Sequence, residues 1–373
     1  MICIEKIETF VYRYPLANPV QTSFGIMLDR PMVLVKVTDH DGVIGWGEIW
    51  CNFPNVGAEH RARLTDSVVA PLLIGKHLKD CVDAFENLTA KTWVLGLQTA
   101  EIGPLAQVIA GLDIALHDLV GKRQQQPLWQ LLGGISNVVP AYASGINPVG
   151  AAQMGERALA AGYTNLKLKI GFGAEIDREN IEELSRLIGG AGGLMVDANQ
   201  AFDVASAIKF LTVLDEFDLK WLEEPIPVDR PNSEWQQLKS CTHIPLAGGE
   251  NIFGNDAFDA ALAANVLSVI QPDLAKWGGL SMTVPLARKI IAAGQRYCPH
   301  YLGGGVGLVA SAHALAAVGG DGMLEVDGNT NPLREALVGD MLSNVHGVAE
   351  LGSDPGLGYI PDIAAISRYL VPH

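Results

Sequence analysis

The chain lacks any paired-cysteine motif: Cys3, Cys51, Cys81, Cys241 and Cys298 are scattered, odd in number and without CxxC spacing. That excludes a disulfide framework and a cysteine zinc site, and it fits a reducing compartment. Cationic surplus is missing too, with 26 Lys and Arg against 41 Asp and Glu and a formal net charge of -15. No nucleic-acid partner is therefore expected, because a phosphate backbone requires clustered positive charge. Long uncharged apolar runs are also absent. Ala260 to Ile270 is short and carries Asn265, and Met1 to Leu16 is broken by Glu5, Lys6, Glu8 and Arg13. Neither a membrane span nor a signal sequence is expected, and the expected location is cytoplasmic.

What is present is apolar bulk, 49% of 373 residues, enough for one barrel-sized domain or a barrel with an attached partner. The first 60 residues alternate as strands do, as in Met32-Val33-Leu34-Val35-Lys36-Val37, with a turn at Asp39-His40-Asp41-Gly42 and a second strand through Ile44 to Glu48. From Glu59 to Gly121 the spacing of Ile109, Leu112, Ile114, Ala115 and Leu119 predicts helix, with Gly121 as its stop. Strands followed by helices indicate an α+β domain over residues 1–130, completed by the segment 348–373.

Residues 131–347 read differently. Eight β-rich runs end at Ser144, Lys169, Asp197, Glu223, Glu250, Asp273, His300 and Glu325, with helical stretches between them. A parallel (β/α) barrel needs such units, since each strand must return through one helix, and its carboxyl ends converge on one face. A doubly wound sheet shares the alternation, but eight units with a polar residue closing each favour the barrel.

The chemistry gathers at those ends. Asp197, Glu223 and Glu250 close three consecutive strands, and three carboxylates so close repel unless a cation or protons compensate them. All-oxygen ligands select Mg²⁺, with Mn²⁺ or Ca²⁺ as alternatives. Lys167 and Lys169 share one face of Leu166-Lys167-Leu168-Lys169-Ile170. Mutual repulsion is expected to lower their pKa values, making one a usable base. His300 and Asp273 end neighbouring strands, where the carboxylate could orient the imidazole. Glu325 is expected either to stay protonated as a hydrogen-bond donor or to form a salt bridge. Gly303-Gly304-Gly305-Val306-Gly307 reads as close backbone approach. Such a set suits removal of the proton α to a carboxylate, followed by dehydration or by racemisation. A metal-dependent aldolase or hydrolase would use the same carboxylates without needing Lys169, and a non-catalytic barrel would need none of them.

The motifs Lys167-Leu168-Lys169, Val196-Asp197-Ala198-Asn199-Gln200, Trp221-Leu222-Glu223-Glu224-Pro225, Gly249-Glu250-Asn251, Gln271-Pro272-Asp273 with Lys276-Trp277-Gly278-Gly279, and His300 resemble the mandelate racemase group of the enolase superfamily. The resemblance covers essentially the whole chain. It implies a modified TIM barrel, (β/α)₇β, with an α+β capping domain, and Mg²⁺ on Asp197, Glu223 and Glu250. It further implies Lys169 as one base, His300 with Asp273 as the other, Lys167 and Glu325 as electrophilic helpers, Ser144 and Asn199 near substrate or metal, and a symmetric homo-oligomer. Cap loops Asn18 to Gly25 and Trp50 to Ala62 would close over a small carboxylate substrate. The second is polar, through Asn52, Asn55, Glu59, His60 and Arg61, and Asp327-Gly328-Asn329-Thr330-Asn331-Pro332 also departs from the mandelate enzyme. Both departures argue against mandelate itself; the expected activity is dehydration of a sugar acid or similar polar hydroxy acid, with racemisation or epimerisation of a 2-substituted acid as the alternative.

Overall fold

The computed structural model describes residues 2–21, 25–338, 341 and 347–373. Three antiparallel strands open the chain, β1 (Ile2–Gln21), β2 (Ile26–Asp39) and β3 (Ile44–Ile49), and Leu370–Val371 adds to the outer edge of β1 with Val11 opposite Val371. The β2–β3 turn forms because Asp39 Oδ1 accepts the backbone N–H groups of Asp41 and Val43 at 3.0 and 2.9 Å, while Gly42 takes a positive φ.

Both faces of this sheet are covered. Val33, Val35 and Val37 pack on the cap helices with Leu112 and Leu116, whereas Met32 and Leu34 join the barrel core. Period-two alternation therefore selects which core a side chain enters. Full burial of a side chain such as Leu112 contributes ~2 kcal/mol relative to exposure. Helix Ile102–Gln124 lies so close to β3 that a Cβ at Gly45 or Gly47 would stand 2.0 Å from a helix carbonyl oxygen. The helix runs past Gly121, the predicted stop, and ends with Gln125 in the left-handed region. Gly121 serves packing instead, since Gly356 Cα would lie 2.8 Å from its Cβ. This helix is long and apolar enough to cross a membrane by length and composition, but its apolar window is 78% buried within the fold.

The second sheet has eight parallel strands, with Val348–Glu350 added antiparallel to the first of them. The eight are Val138–Ile146, Asn165–Lys169, Gly193–Asp197, Leu219–Glu223, Leu246–Gly248, Val269–Ile270, Arg296–Tyr297 and Leu324–Asp327. They pair in chain order, and the eighth returns to pair with the first. Seven helices of ten residues or more follow the first seven strands, which gives the expected (β/α)₇β barrel. Among the described residues no ladder joins Arg296–Tyr297 to Leu324–Asp327.

Strands five to seven are shorter than the sequence suggests, so Glu250, Asp273 and His300 lie two or three residues beyond them. Pro272 and Pro299 lack the N–H a ladder needs, and Gly249 turns at φ 143° against the backbone of Gln271. The polar residues still converge, because the loops continue the strand direction for only a few residues.

Candidate active site

Lys167, fully buried on strand two, places its Nζ 2.7 Å from Glu223 Oε2 on strand four, 2.7 Å from Glu325 Oε1 on strand eight and 3.7 Å from Asp197 Oδ2 on strand three. Lys169, two residues on and on the same face, donates to Asp197 Oδ2 at 2.5 Å and Asn199 Oδ1 at 2.8 Å. Glu223 also accepts from Gln271 Nε2 at 2.6 Å and Trp221 Nε1 at 3.3 Å. Glu325 accepts from the Ser144 hydroxyl and, at 3.2 Å, from the Tyr301 N–H.

His300 turns Nδ1 to Asp273 Oδ2 at 2.8 Å and Nε2 to Glu250, so it stands between two carboxylates. Asp273 is fixed in turn, its Oδ1 accepting the Ala275 and Lys276 N–H groups at 2.9 and 3.1 Å. The structure thus brings together all ten residues singled out in the sequence.

One electrostatic expectation is overturned, and one open alternative is decided. Burial pulls both lysine pKa values down, and the Lys167 charge lowers Lys169 further, but Glu223, Glu325 and Asp197 around Lys167 and Asp197 and Glu223 around Lys169 outweigh this, so both lie above the ordinary range. Glu325 is not held protonated: burial pushes it up, yet Lys167 and His300 bring it below the usual carboxylate value, so the salt bridge prevails. His300 is pulled down by burial and raised further by Glu250 and Glu325, ending well above the ordinary imidazole value.

Sequence reasoning passed over Glu224. It is buried beside Glu250, and burial with that neighbour's charge pushes it up to about 8. Burial with Asp197 likewise pushes Glu223 up to about 7. With Asp273 and Glu325 the site holds six carboxylates, Asp197, Glu223, Glu224 and Glu250 being the others, against four facing cations, Lys167, Lys169, Lys276 and His300. The donor set is all oxygen, so Asp197, Glu223 and Glu250 fit a hard divalent cation such as Mg²⁺. Among the described residues no three metal-ligating side chains converge closely enough to hold an ion, each of these carboxylates being turned toward Lys167, Lys169 or His300.

These groups open into a cavity of about 300 Å³ between barrel and cap. Lys169, Asn199, Glu250 and His300 line it from the barrel, and Arg30, Trp50, Asn52 and Phe53 from the cap. Other polar residues of the second cap loop point elsewhere. Glu59 binds Arg13, His60 binds Glu101, and Arg61 donates to Gln107. The loop predicted at Asn18 to Gly25 lies partly outside the described residues. The glycine run does mark close approach, as a Cβ at Gly304 would meet Met32 Sδ at 2.2 Å.

The chain matches the family model for the mandelate racemase / muconate lactonizing enzyme N-terminal domain over residues 6–133 and that for the enolase C-terminal domain-like fold over 151–365. A solved mandelate racemase/muconate lactonizing enzyme from Bordetella bronchiseptica RB50 shares 50% identity over 99% of both chains, with a TM-score of 0.93. The D-galactarolactone cycloisomerase of Agrobacterium fabrum is 31% identical over 99% of each chain. A racemase structure from Streptomyces coelicolor A3(2) with bound magnesium shares 28% identity, covers 99% of this chain and all of its own, and has a TM-score of 0.88. Other curated relatives include a D-xylonate dehydratase, an arabinonate dehydratase and an N-succinyl-L-Arg/Lys racemase.

Proposed function

Given that the chain belongs to the mandelate racemase/muconate lactonizing enzyme family of the enolase superfamily, we propose that it removes the proton α to the carboxylate of a sugar acid and completes the reaction by expelling the β oxygen. The observation that carries this reading is that two acid/base candidates, Lys169 and His300, line one cavity together with Glu250.

In this mechanism Lys169, aligned by Asn199, would take the α proton as the neutral amine, a form it reaches only when a cation on Asp197 offsets the carboxylate charge that now holds it protonated. His300, with Asp273 behind it, delivers a proton to the departing oxygen. Lys167, next to Glu325, donates to the substrate carboxylate as negative charge builds there. Mg²⁺ held by Asp197, Glu223 and Glu250 would offset their charge and polarise the substrate carboxylate. When the β oxygen is a hydroxyl, C–H and C–O bonds break, water leaves, and the enol becomes a 2-keto acid.

A second reading follows from the same pair of bases. If His300 returns a proton to the α carbon on the face opposite Lys169, the outcome is racemisation or epimerisation.

One screen separates them. Sugar acids are incubated with enzyme and Mg²⁺ in D₂O and followed by NMR, and the expected result is a 2-keto product from at least one acid. Solvent deuterium at the α carbon with no 2-keto product would replace dehydration by racemisation. Unchanged turnover in Lys169→Ala would remove both.

A further inference from the structure

From the buried, unpaired polar atoms of two residues that line the cavity, we infer that Asn147 and Trp50 form a hydroxyl-reading subsite that selects aldonates, with their neutral polyhydroxy tails, over dicarboxylates. The inference rests on the reading of this cavity as the site of α-proton removal from a sugar acid.

A chain of hydrogen bonds sets which way the Asn147 amide faces. Asp327 Oδ1 and the Gly145 carbonyl both accept from Asn329 Nδ2, each at 2.8 Å. That leaves Asn329 Oδ1 as an acceptor, and Asn147 Nδ2 donates to it at 3.1 Å. With its Nδ2 engaged by Asn329, Asn147 keeps Oδ1 as a buried acceptor without a partner. Asp327 anchors the series, being buried and paired with Arg30 of the cap.

Trp50 supplies the complementary atom. Its Nε1–H is buried and unpartnered, and Lys276 Nζ, 5.0 Å from the ring centroid, helps hold the indole in place. Asn147 and Trp50 line the cavity that holds Lys169 and His300.

The two orphans differ in sign, which identifies the ligand. Trp50 Nε1 needs an acceptor, and either a hydroxyl or a carboxylate would serve. Asn147 Oδ1 needs a donor, which an ionised carboxylate cannot supply and a hydroxyl can. The cations lining the cavity that a second carboxylate would seek already face carboxylates of the protein: Arg30 faces Asp327, Lys276 faces Glu250 and Lys169 faces Asp197. A hydroxylated tail satisfies both orphans, whereas a deoxy carbon in its place leaves one buried and unsatisfied.

The test compares kcat/KM and calorimetric dissociation constants for aldonates, their mono-deoxy analogues at C4, C5 and C6, and the matching aldarates. These are measured on the Mg²⁺-loaded wild type, Asn147→Leu and Trp50→Phe, with α-deuterium exchange recorded alongside. In the wild type, at least one deoxy position should lose about 10- to 100-fold and the aldarate should be the poorer substrate. Each substitution should abolish discrimination at the hydroxyl its residue reads, and Trp50→Phe keeps the test open if Asn147→Leu misfolds. Preference for aldarates, indifference to every deoxy position, or a parallel loss on all probes in both variants would overturn the subsite. If exchange persists in those cases, only the subsite fails; no exchange with any probe would bring down the underlying function as well.

Discussion

His300 Nδ1 and Asp273 Oδ2 stand 2.8 Å apart, each delivered by a loop that extends a short barrel strand. Asp273 uses its other oxygen for two backbone N–H groups, so it cannot swing away without breaking the turn at Ala275 and Lys276. The imidazole is thereby held with Nδ1 protonated and Nε2 turned toward the cavity side. Asp273→Asn keeps the turn, because an amide oxygen can still accept both N–H groups, but it removes the charge behind the ring. Turnover should fall by about 10²- to 10⁴-fold with a smaller change in KM. Steady-state kinetics with an unchanged far-UV spectrum checks this, and near-wild-type kcat would make the pair merely structural.

A divalent cation should stabilise the fold as well as support turnover. The carboxylate surplus around Asp197, Glu223, Glu224 and Glu250 is expelled from water, and Glu223 and Glu224 are pushed up by it. Mg²⁺ at a hundred times its dissociation constant should add ~2.7 kcal/mol to unfolding. Differential scanning calorimetry with and without EDTA measures that increment, and Glu250→Gln should lose most of it. Equal midpoints under all conditions would show that these carboxylates hold no cation.

Much of this site could be read before any coordinates, and for one reason. A barrel brings strand ends together whatever the intervening sequence, so the polar residue closing each unit is a position, from Ser144 to Glu325. Gly121 misled because a glycine in a helix can answer to packing as well as to termination. Glu224 was passed over because neighbours on a strand face opposite ways, whereas its backbone turns to φ 37° and the side chain stays buried beside Glu250. Asn147 and Trp50 lie in loops with no period, so only the hydrogen-bond inventory reveals them. The sign of the lysine shifts also depends on distances, since Lys167 has three carboxylates within 3.7 Å and composition cannot say so.

The buried pair of Arg30 and Asp327 ties the cap to the last barrel strand, with the two side chains 6% and 4% exposed. Removing one member leaves a charge in a dry site, which typically costs ~3–5 kcal/mol. Arg334 Nη1 is 3.9 Å from Asp327 Oδ2 and donates to its carbonyl oxygen at 2.6 Å, so part of the charge stays compensated. Arg30→Met should therefore fall at the lower end, near ~3 kcal/mol, in chemical denaturation. A loss below ~1 kcal/mol would mean that Arg334 alone balances Asp327.

His313 makes stability depend on pH, away from the reacting groups. It is buried in helix Gly305–Val318, where Nδ1 accepts the Trp129 N–H at 3.0 Å and Nε2 faces the Leu357 carbonyl at 3.3 Å. That arrangement requires the neutral ring, since a protonated Nδ1 could accept nothing. Burial lowers its pKa from 6.5 to about 4, against a smaller upward pull from the Leu357 carbonyl. The folded state thus binds the proton less readily than the unfolded chain, and stability must fall as pH drops through this interval. Integrated from pH 6.5 to 4, the loss is ~3 kcal/mol. In His313→Asn the amide oxygen can still accept the Trp129 N–H but cannot titrate. The variant should start ~1 kcal/mol less stable at neutral pH, having lost the Leu357 contact, yet show a shallower decline on acidification. Urea denaturation of both proteins between pH 7.5 and 4.5 makes the comparison, and parallel curves would place the acid sensitivity in other groups.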